Sequence, residues 1–298
     1  MKSELNVRLF DEAKNLVAID EPLGRHTTYD IGGPARFFAS PENTDEVRLL
    51  VEKARRAELP MYILGGGSNL LISDSGLAGL VLHMNRMRGI EVKNGKLHVG
   101  AGGSLPGLVK RTARMGIKGF GRFAGIPGLV GGMIRTNSGG RHGTLADVLH
   151  SVVLISHNGE EVVRNAEDFN FGHRRSNLSD EIAVKLIFNV ESGDPAELNA
   201  ERRKIMKLKT ASQPLSDRNA GCCFSNPAQG IHASKLIDEC GLKGFGVGGA
   251  VVSEEHANFI CNEDDATADE VRKLMGIVRD TVLSETGFVL KQEIIYWS

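Results

Sequence analysis

Apolar positions recur along the chain with two periods, one typical of amphipathic helices and one typical of half-buried strands. Within residues 47–54 they fall at helical spacing, and Asn43 with Glu46 forms a capping box ahead of them, so a helix is predicted there. Apolar and polar positions alternate around the Asn-Gly dipeptides at 94–95 and 158–159. This dipeptide favours tight turns between paired strands, so both segments are predicted to be β-hairpins.

Start and stop signals predict the other elements. Thr267 with Glu270 forms a second capping box, and Gly287 marks the end of the helix that follows it. Asp194 and Pro195 start another helix, which is expected to run to about residue 209. The remaining elements are predicted as helices at 105–112 and 234–240 and as strands at 61–64, 182–190 and 288–296. This pattern is typical of an α+β or mixed α/β protein with a boundary near residues 195–215.

The composition is that of a soluble globular protein. The chain has 298 residues, which is too long for one small core and fits two or three subdomains. Its formal net charge of −1 argues against a nucleic-acid-binding protein, which normally carries a basic face. Residues 1–15 lack an apolar core of signal-peptide length, and no run approaches 18 apolar residues. We therefore expect a cytoplasmic protein with neither nucleic acid nor membrane as a partner.

The spacing of cysteines and histidines argues against structural disulfides and metal sites. The four cysteines, at 222, 223, 240 and 261, form no CxxC pair and no zinc-binding spacing. Adjacent Cys222 and Cys223 are poorly placed for a structural disulfide, so reduced thiols are expected. The nine histidines show no ligand spacing such as HExxH, and no metal site is predicted.

Glycine is in clear excess, at 36 of 298 residues, and it clusters in loops. The first cluster follows the strand predicted at 61–64 and consists of Gly65, Gly66, Gly67, Ser68 and Asn69. Two interpretations stay open: a tight turn after the strand, or a loop whose backbone N–H groups bind a phosphate. It is not a Walker A loop, because no Lys-Ser/Thr pair follows it.

A second glycine-rich tract extends from residue 125 to residue 140. Its members include Gly125, Ile126, Pro127, Gly128, Gly132 and Asn137. By itself the tract reads as an irregular loop. Two such tracts in one region, however, favour a large, extended ligand such as a dinucleotide.

A third glycine cluster, residues 244–249, contains the literal pattern GxGxxG. The dinucleotide-binding fingerprint of this form must follow a strand and open a helix. Here the pattern follows a predicted helix and leads into the apolar residues 250–252, so we predict that it is not a dinucleotide site and that it lets the chain approach a ligand or turn sharply.

Three residues carry groups that can act on a bound substrate. Cys222 lies in the turn-rich segment 219–227, and a thiol can give up its proton near neutral pH when a neighbouring charge favours it. Arg174 belongs to a basic pair that is either a solvated face or a bidentate site for a carboxylate. Glu293 interrupts an apolar strand, where it is either on the exposed face or buried and functional.

The ordered set of these motifs resembles the UDP-N-acetylenolpyruvoylglucosamine reductase family, the flavoenzymes of bacterial peptidoglycan synthesis. The matching segments span most of the chain. They are residues 26–29, 31–35, 63–71, 124–128, 131–132, 171–172 with Arg174 and Ser176, 213–215, the Cys222 segment, 235–237 and 256–259. Each motif is modest by itself, whereas the set in this order is highly specific.

The resemblance implies an α+β fold in which a two-lobed FAD-binding domain of the vanillyl-alcohol-oxidase (PCMH) type precedes a smaller α+β substrate domain. The two lobes would span residues 1–85 and 86–205, and the substrate-binding domain would span 206–298. The terminal strand, 288–298, would return to the first lobe. The short substrate domain is similar to the branch of the family that lacks an extra tyrosine-bearing loop.

The resemblance also implies noncovalent FAD, NADPH as the hydride source, and a UDP-sugar enolpyruvyl ether as the substrate. In the family, hydride passes from NADPH through the flavin to UDP-N-acetylglucosamine enolpyruvate, which becomes UDP-N-acetylmuramate. Carried over by position, Cys222 is the proton donor where many members have serine, and Arg174 and Glu293 act on the enolpyruvyl carboxylate. The implied cofactor-binding residues are Gly65, Gly66, Gly67, Ser68, Asn69, Ile126, Pro127, Gly128, Gly132 and Asn137. A monomer or weak oligomer is expected.

The chain departs from the family pattern near these residues. The family commonly has tyrosine before the catalytic arginine, where this chain has His173. It often has lysine in the segment after the proton donor, where this chain has Ser225. Loss of that lysine removes a contact to the substrate diphosphate, for which Arg218 is a candidate replacement.

Two alternatives to the reductase stay open. One is another FAD-dependent oxidoreductase of the same fold with a different substrate; the matched positions Arg174, Cys222 and Glu293 argue against it. The other is a flavin- or sugar-nucleotide-binding protein without turnover, which only the substitutions at His173 and Ser225 support. Bleaching of the flavin by NADPH without substrate-dependent reoxidation would favour this last reading.

Overall fold

The computed structural model describes residues 10, 13–140, 142–172 and 174–298. These residues form six α-helices: α1 Thr44–Arg56, α2 Leu105–Arg114, α3 Gly132–Thr136, α4 Pro195–Thr210, α5 Ala233–Glu239 and α6 Ala268–Thr286. The strands in the same ranges are β1 Val17–Pro22, β2 Pro34–Ala39, β3 Met61–Leu64, β4 Leu70–Ile72, β5 Leu77–His83, β6 Ile90–Lys93, β7 Lys96–Gly100, β8 Gly139–Gly140, β9 Gly143–Thr144, β10 Leu149–Ile155, β11 Glu161–Asn165, β12 Ile182–Asn189, β13 Asn219–Cys222, β14 Phe224–Ser225, β15 Gly246–Val247, β16 Ala250–Val252, β17 Phe259–Asn262, β18 Lys291–Gln292 and β19 Ile295–Trp297.

The chain separates into two compact units. Unit one consists of the described residues up to Ile19 together with 37–66 and 79–208. Unit two consists of residues 20–36, 67–78 and 209–298. The finer division into two lobes and a substrate domain stays a prediction.

Unit one contains a five-stranded antiparallel sheet in the order β11-β10-β12-β7-β6. Both predicted hairpins lie in this sheet and are confirmed, β6 with β7 and β10 with β11. Asn94 and Gly95 have φ angles of 51° and 69°, the left-handed pair that a type I′ turn requires. The predicted helix at 105–112 is α2, and its buried face shares an apolar cluster with Phe188 of β12.

The N-cap half of the capping box predicted before residue 47 is present at the start of α1, whereas in the other half Glu46 Oε2 accepts from the Glu42 N–H at 2.8 Å and not from the Asn43 N–H. The side chain of Asn43 accepts a hydrogen bond from the Glu46 backbone at 2.9 Å, and its Nδ2 donates to Glu46 Oε1 at 2.9 Å. The buried face of α1 packs with Leu80 and Leu82 of β5. Strand β5 pairs in parallel with β3, in a sheet of order β1-β2-β5-β3. The predicted strand at 61–64 is therefore confirmed, and it leads directly into Gly65.

Unit two is built on the antiparallel sheet β13-β17-β16-β15, which shares an apolar core with α5 and α6. Helix α6 begins at the predicted capping box of Thr267 and Glu270 and ends at Gly287, whose φ is 73°. The GxGxxG segment forms β15 and the turn into β16, and it opens no helix. The structure thus agrees with the predicted turn in this segment.

The prediction of one continuous terminal strand over 288–296 is wrong. The chain forms two short strands here, because β18 pairs antiparallel with β14 whereas β19 pairs in parallel with β4. Between them, the Glu293 N–H donates to the Cys223 carbonyl at 2.8 Å and the Ile295 N–H donates to the Asn69 carbonyl at 3.1 Å. Hydrophobic alternation cannot reveal such a change of partner.

Candidate active site

In unit one, the two glycine tracts touch backbone to backbone. A Cβ atom added to Gly66 would lie 2.5 Å from the Cα atom of Gly128 and 3.2 Å from the nitrogen of Leu129. A Cβ added to Gly65 would lie 4.0 Å from the Cα atom of Gly132. Any side chain at position 66 would therefore push the tracts apart, which is a physical reason for glycine at this position.

The second glycine tract is anchored to unit one by a backbone hydrogen bond and by apolar packing, and its backbone is open at Gly132. The Gly128 carbonyl accepts a hydrogen bond from the Leu105 backbone at 3.0 Å, and half-buried Ile126 packs against the apolar core of unit one. Pro127 is exposed. A Cβ atom added to Gly132 would meet no atom within 4 Å. The backbone at Gly132 can thus be approached by a bulky group, and this arrangement fits the phosphates of an extended ligand.

Asn137 connects this tract to the turn that carries Arg174. Asn137 ends α3 with a left-handed φ of 42°; its Nδ2 donates to the Gly172 carbonyl at 3.3 Å, and its Oδ1 accepts from the Ala146 N–H at 3.2 Å. Gly172 and Arg175 close the turn with mutual backbone hydrogen bonds of 3.0 and 3.4 Å. Exposed Arg174 lies inside the turn at φ 54°, a conformation that costs a non-glycine residue about 1–2 kcal/mol.

In unit two, the residues that follow Gly66 contact the strands of Cys222 and Glu293. Gly67 has a left-handed φ of 61°, and its carbonyl accepts from the Thr28 N–H at 3.3 Å. The Thr28 hydroxyl lies 2.6 Å from the carbonyl oxygen of Asn219, to which it donates, at the start of β13. Asn69 Nδ2 donates to the Glu293 carbonyl at 3.3 Å. Residues 67–69, predicted to bind the cofactor, therefore also brace the strands of two predicted catalytic residues.

Cys222 and Cys223 differ sharply in accessibility. Cys222 ends β13 opposite Phe259 and is half-buried, directly after a bulge at Gly221, whose φ is 80°. A Cβ added to Gly221 would lie 3.9 Å from the carbonyl oxygen of Ser68. Because successive side chains leave a strand on opposite faces, Cys223 points into the core, where its exposure is 1%. Burial raises the pKa of the Cys223 thiol well above its usual range, so this thiol stays protonated.

The structure brings the Cys222 strand and Glu293 together. The Glu293 N–H donates to the carbonyl of Cys223 at 2.8 Å, and β14 pairs with β18 directly after it. Glu293 is half-buried. The sequence left open whether Glu293 is exposed or buried. In the structure it is partly buried, at the point where the terminal segment changes its pairing partner. Arg174 belongs to unit one and is positioned there by its own turn.

The departures from the family pattern have their own contacts. Ser225 Oγ donates to the Lys291 carbonyl at 3.3 Å. Arg218 Nη1 donates to Asp265 Oδ1 at 3.3 Å, so its guanidinium is already engaged with an acidic side chain. A role for Arg218 at a substrate diphosphate stays a prediction. His173 lies outside the described residues.

The sequence did not single out Asn258 or Thr28, although both lie in motifs that carry the resemblance. Asn258 is 4% exposed and bonds the backbone of the residues that follow Cys222. The signal available in the sequence was a polar side chain inside the otherwise apolar run at 257–261. A buried polar group of this kind needs hydrogen-bond partners, and only the structure shows which ones it has.

Disulfides, metal ligands and membrane-spanning helices were also considered for the described residues. The four cysteines, all within the described part of the chain, form no disulfide with one another. Within the described ranges, His, Cys, Asp and Glu side chains form no group of three or more that could hold a metal ion. Over the same part of the chain, no helix combines the length and the apolar character needed to cross a membrane.

The family models define the class of protein to which this chain belongs. Residues 35–164 match the model described as FAD binding domain, and residues 213–297 match the model described as UDP-N-acetylenolpyruvoylglucosamine reductase, C-terminal domain. The chain is thus a flavoprotein oxidoreductase with an α+β, FAD-binding fold followed by a smaller C-terminal domain, and the predicted fold class is confirmed. We call Gly66, Gly128 and Gly132 the cradle; its backbone is open at Gly132, which leaves room there for a group such as the diphosphate of that cofactor.

Relatives along the whole chain identify the family. The UDP-N-acetylenolpyruvoylglucosamine reductase of Heliobacterium modesticaldum is 37% identical over 92% of this chain and 88% of that protein. The one of Desulfosudis oleivorans is 38% identical over 94% of each. The crystal structure of the Thermus caldophilus enzyme has a TM-score of 0.81 and 34% identity, covering 95% of this chain and 98% of that one. This chain belongs to the UDP-N-acetylenolpyruvoylglucosamine reductase family.

We expect Cys261 to make the protein less stable as the pH rises above 9. Burial, and then the neighbouring Asp217 carboxylate, raise the pKa of this thiol from 9.0 to about 12. Between these values the unfolded chain binds fewer protons than the folded one, so the free energy of unfolding falls as pH rises, by up to about 1.4 kcal/mol per pH unit. We expect Cys261→Ala to lose stability less steeply than the wild type over this window. Denaturant unfolding at several pH values checks this, and equal slopes for the two proteins would contradict it.

Proposed function

We propose that this protein reduces UDP-N-acetylglucosamine enolpyruvate to UDP-N-acetylmuramate, with NADPH as reductant, in the synthesis of peptidoglycan precursors. The observation that carries the proposal is a backbone hydrogen bond in unit two, between two strand pairs, from the Glu293 N–H to the carbonyl of the residue after Cys222 at 2.8 Å. It occurs in a chain that matches members of the family over 94% and 95% of its length. FAD, when bound, supplies the hydride that it has taken from NADPH.

The residues proposed to hold FAD come from both glycine loops. They are Gly65, Gly66, Gly67, Ser68 and Asn69 of the first loop and Ile126, Pro127, Gly128, Gly132 and Asn137 of the second. The close approach of Gly66 to Gly128 and the open space at Gly132 support the assignment in unit one. The left-handed φ of Gly67 and its close contact with the backbone of Thr27 give a reason for glycine at this position of the loop.

Cys222 is the proposed proton donor. Once hydride has reached the terminal enolpyruvyl carbon, the neighbouring carbon must accept a proton. A thiol is a stronger acid than the serine hydroxyl common in the family, so it can do the same task. The half-buried position of Cys222 at the end of β13 leaves it accessible, whereas Cys223 is enclosed in the core.

Arg174 and Glu293 are the proposed partners of the substrate carboxylate. Negative charge spreads onto this carboxylate as hydride adds, and donors fixed in advance stabilise the transition state more than the ground state. The guanidinium offers two parallel N–H groups that match a carboxylate in its plane. Glu293 is half-buried and lies between β18 and β19, next to the segment that follows Cys222.

We expect Arg174→Lys to slow substrate-dependent reoxidation of the flavin by about 100-fold or more, because lysine cannot make the bidentate contact. Reduction by NADPH should stay close to the wild-type rate. Arg175→Lys, at the neighbouring position of the same turn, is the matched control and should change neither rate. Near-normal turnover of Arg174→Lys would place this residue outside the site.

Anaerobic stopped-flow spectroscopy of the purified yellow protein tests the function as a whole. Bleaching of the oxidised flavin by NADPH, followed by recovery of its colour on addition of UDP-N-acetylglucosamine enolpyruvate, is the expected result. Bleaching without that recovery would point to another acceptor or to a binding protein without turnover. A colourless protein that cannot take up FAD would overturn the proposal.

The proposal includes a location and a state of assembly. Both substrates, NADPH and a UDP-sugar ether, are charged, water-soluble small molecules, which supports a cytoplasmic enzyme. We propose a monomer or weak oligomer with no nucleic-acid or membrane partner. Size-exclusion chromatography with light scattering measures the assembly directly.

A further inference from the structure

We infer that Asn258 is a positioning residue for the proton-donating thiol. It holds the short segment that follows Cys222, and through that segment it sets where the thiol lies relative to Glu293. The inference rests on the proposed role of Cys222 as proton donor.

Asn258 makes three hydrogen bonds to the two residues after Cys222. Its side-chain Oδ1 accepts from the Phe224 N–H at 3.0 Å, and its Nδ2 donates to the Phe224 carbonyl at 2.8 Å. Its own backbone carbonyl accepts from the Cys223 N–H at 2.8 Å. Asn258 is 4% exposed, so water does not compete with these bonds.

These bonds fall at a gap between two pairs of strands. Strand β13 pairs with β17 as far as Cys222 and Phe259, and β14 pairs with β18 from Phe224 onwards. Between the two pairs, Cys223 is fixed on one side by the Asn258 carbonyl and on the other by the Glu293 N–H, each at 2.8 Å.

A primary amide suits this gap because its N–H donor and carbonyl acceptor lie side by side and can bond the Phe224 carbonyl and N–H together. Removing either group leaves the Phe224 N–H or carbonyl buried without that bond, and the segment then relaxes to recover a partner. Proton transfer depends steeply on distance and alignment, so a small shift of Cys222 is enough to slow it.

Asn258→Asp tests the inference with almost no change of volume. The new carboxylate can still accept from the Phe224 N–H, but its second oxygen faces the Phe224 carbonyl and repels it. Asn262→Asp is the matched control in the same strand region. Asn262 is also 4% exposed and also bonds two backbone groups, the Tyr29 carbonyl at 2.9 Å and the Ala266 N–H at 2.8 Å.

Two measurements separate positioning from general stability. The first compares flavin reduction by NADPH with substrate-dependent reoxidation: Asn258→Asp should slow reoxidation by about 10- to 100-fold and leave reduction unchanged. The second follows the pH profile of Cys222 alkylation by iodoacetamide, read by peptide mass spectrometry, which needs no turnover and should shift in Asn258→Asp. Asn262→Asp should match the wild type in both.

A Cys222→Ala background supplies the direct test of coupling. If Asn258 acts through the thiol, adding Asn258→Asp to Cys222→Ala should bring no further slowing of reoxidation. Asn258→Ser, which removes the amide contacts without adding a charge, is a second variant and should give the same split between half-reactions.

The outcomes distinguish this inference from the proposed function. Equal slowing of both half-reactions, or equal effects of the Asn258 and Asn262 variants, would overturn the inference in favour of a structural role. Normal reoxidation in both Asn258 variants, with reoxidation lost in Cys222→Ala, would overturn the inference while the donor role stands. Normal reoxidation in Cys222→Ala would overturn the donor role itself, and the inference with it.

Discussion

Cys222→Ala is expected to leave the reduction of FAD by NADPH unchanged and to slow its substrate-dependent reoxidation by about 100- to 10,000-fold, the range for loss of a general acid. The two half-reactions separate because the thiol is needed only when the second carbon of the enolpyruvyl group accepts its proton. Anaerobic stopped-flow measurement of each half-reaction checks this result. Equal loss in both would refute the role of Cys222 as proton donor.

Two control variants make the test specific to this thiol. Cys222→Ser restores an O–H group at the same place and should retain substantial activity, and complete inactivity would give the thiol another task. Cys240→Ala removes a second half-buried thiol of unit two and should behave like the wild type.

Gly66→Ala is expected to weaken FAD binding by about 10-fold or more, because the added methyl group would meet the backbone of Gly128 at 2.5 Å. Backbone atoms cannot turn aside as a side-chain tip can, so the two glycine tracts must separate. Overpacking of this kind costs about 1–3 kcal/mol, and the resulting displacement falls on the proposed cofactor loop. Fluorescence titration of the apoprotein with FAD measures the effect.

Two other glycine substitutions in unit one distinguish weaker FAD binding caused by a disturbed fold from weaker binding caused by a blocked cofactor site. Gly107→Ala, in α2, brings a methyl group into ordinary contact with Ser104 at 3.4 Å and should bind FAD normally. Gly132→Ala meets no protein atom within 4 Å, so it should fold normally and still bind FAD more weakly if the cofactor lies there. Wild-type FAD affinity in Gly66→Ala and Gly132→Ala would place the cradle outside the cofactor site.

Most of the regular elements could be predicted from the residues alone. The N-cap at Asn43, the capping box at Thr267, the Asn-Gly turn at 94–95 and the helix end at Gly287 all formed as expected. Each of these signals acts through hydrogen bonds or sterics within a few residues of itself, so it needs no knowledge of the rest of the fold. The prediction of one strand over residues 288–296 was wrong because the two halves of this segment pair with different strands.

The candidate site was only partly predictable. The sequence motifs pointed to Cys222, Arg174, Glu293 and the two glycine loops, and the resemblance assigned their tasks. The order of residues along the chain could not show that Asn69 bonds the Glu293 carbonyl or that Gly66 lies against Gly128. It also passed over Asn258, whose partner Phe224 lies 34 residues away.

By itself, the sequence determined the family and the local elements and indicated the candidate reactive groups, because these depend on residue type and short spacing. The tertiary structure decided which of two adjacent thiols is accessible, where the terminal segment changes partner, and which buried amide holds the segment after Cys222. These features arise from backbone groups that lie far apart in the chain and must each find a hydrogen-bond partner once they leave water.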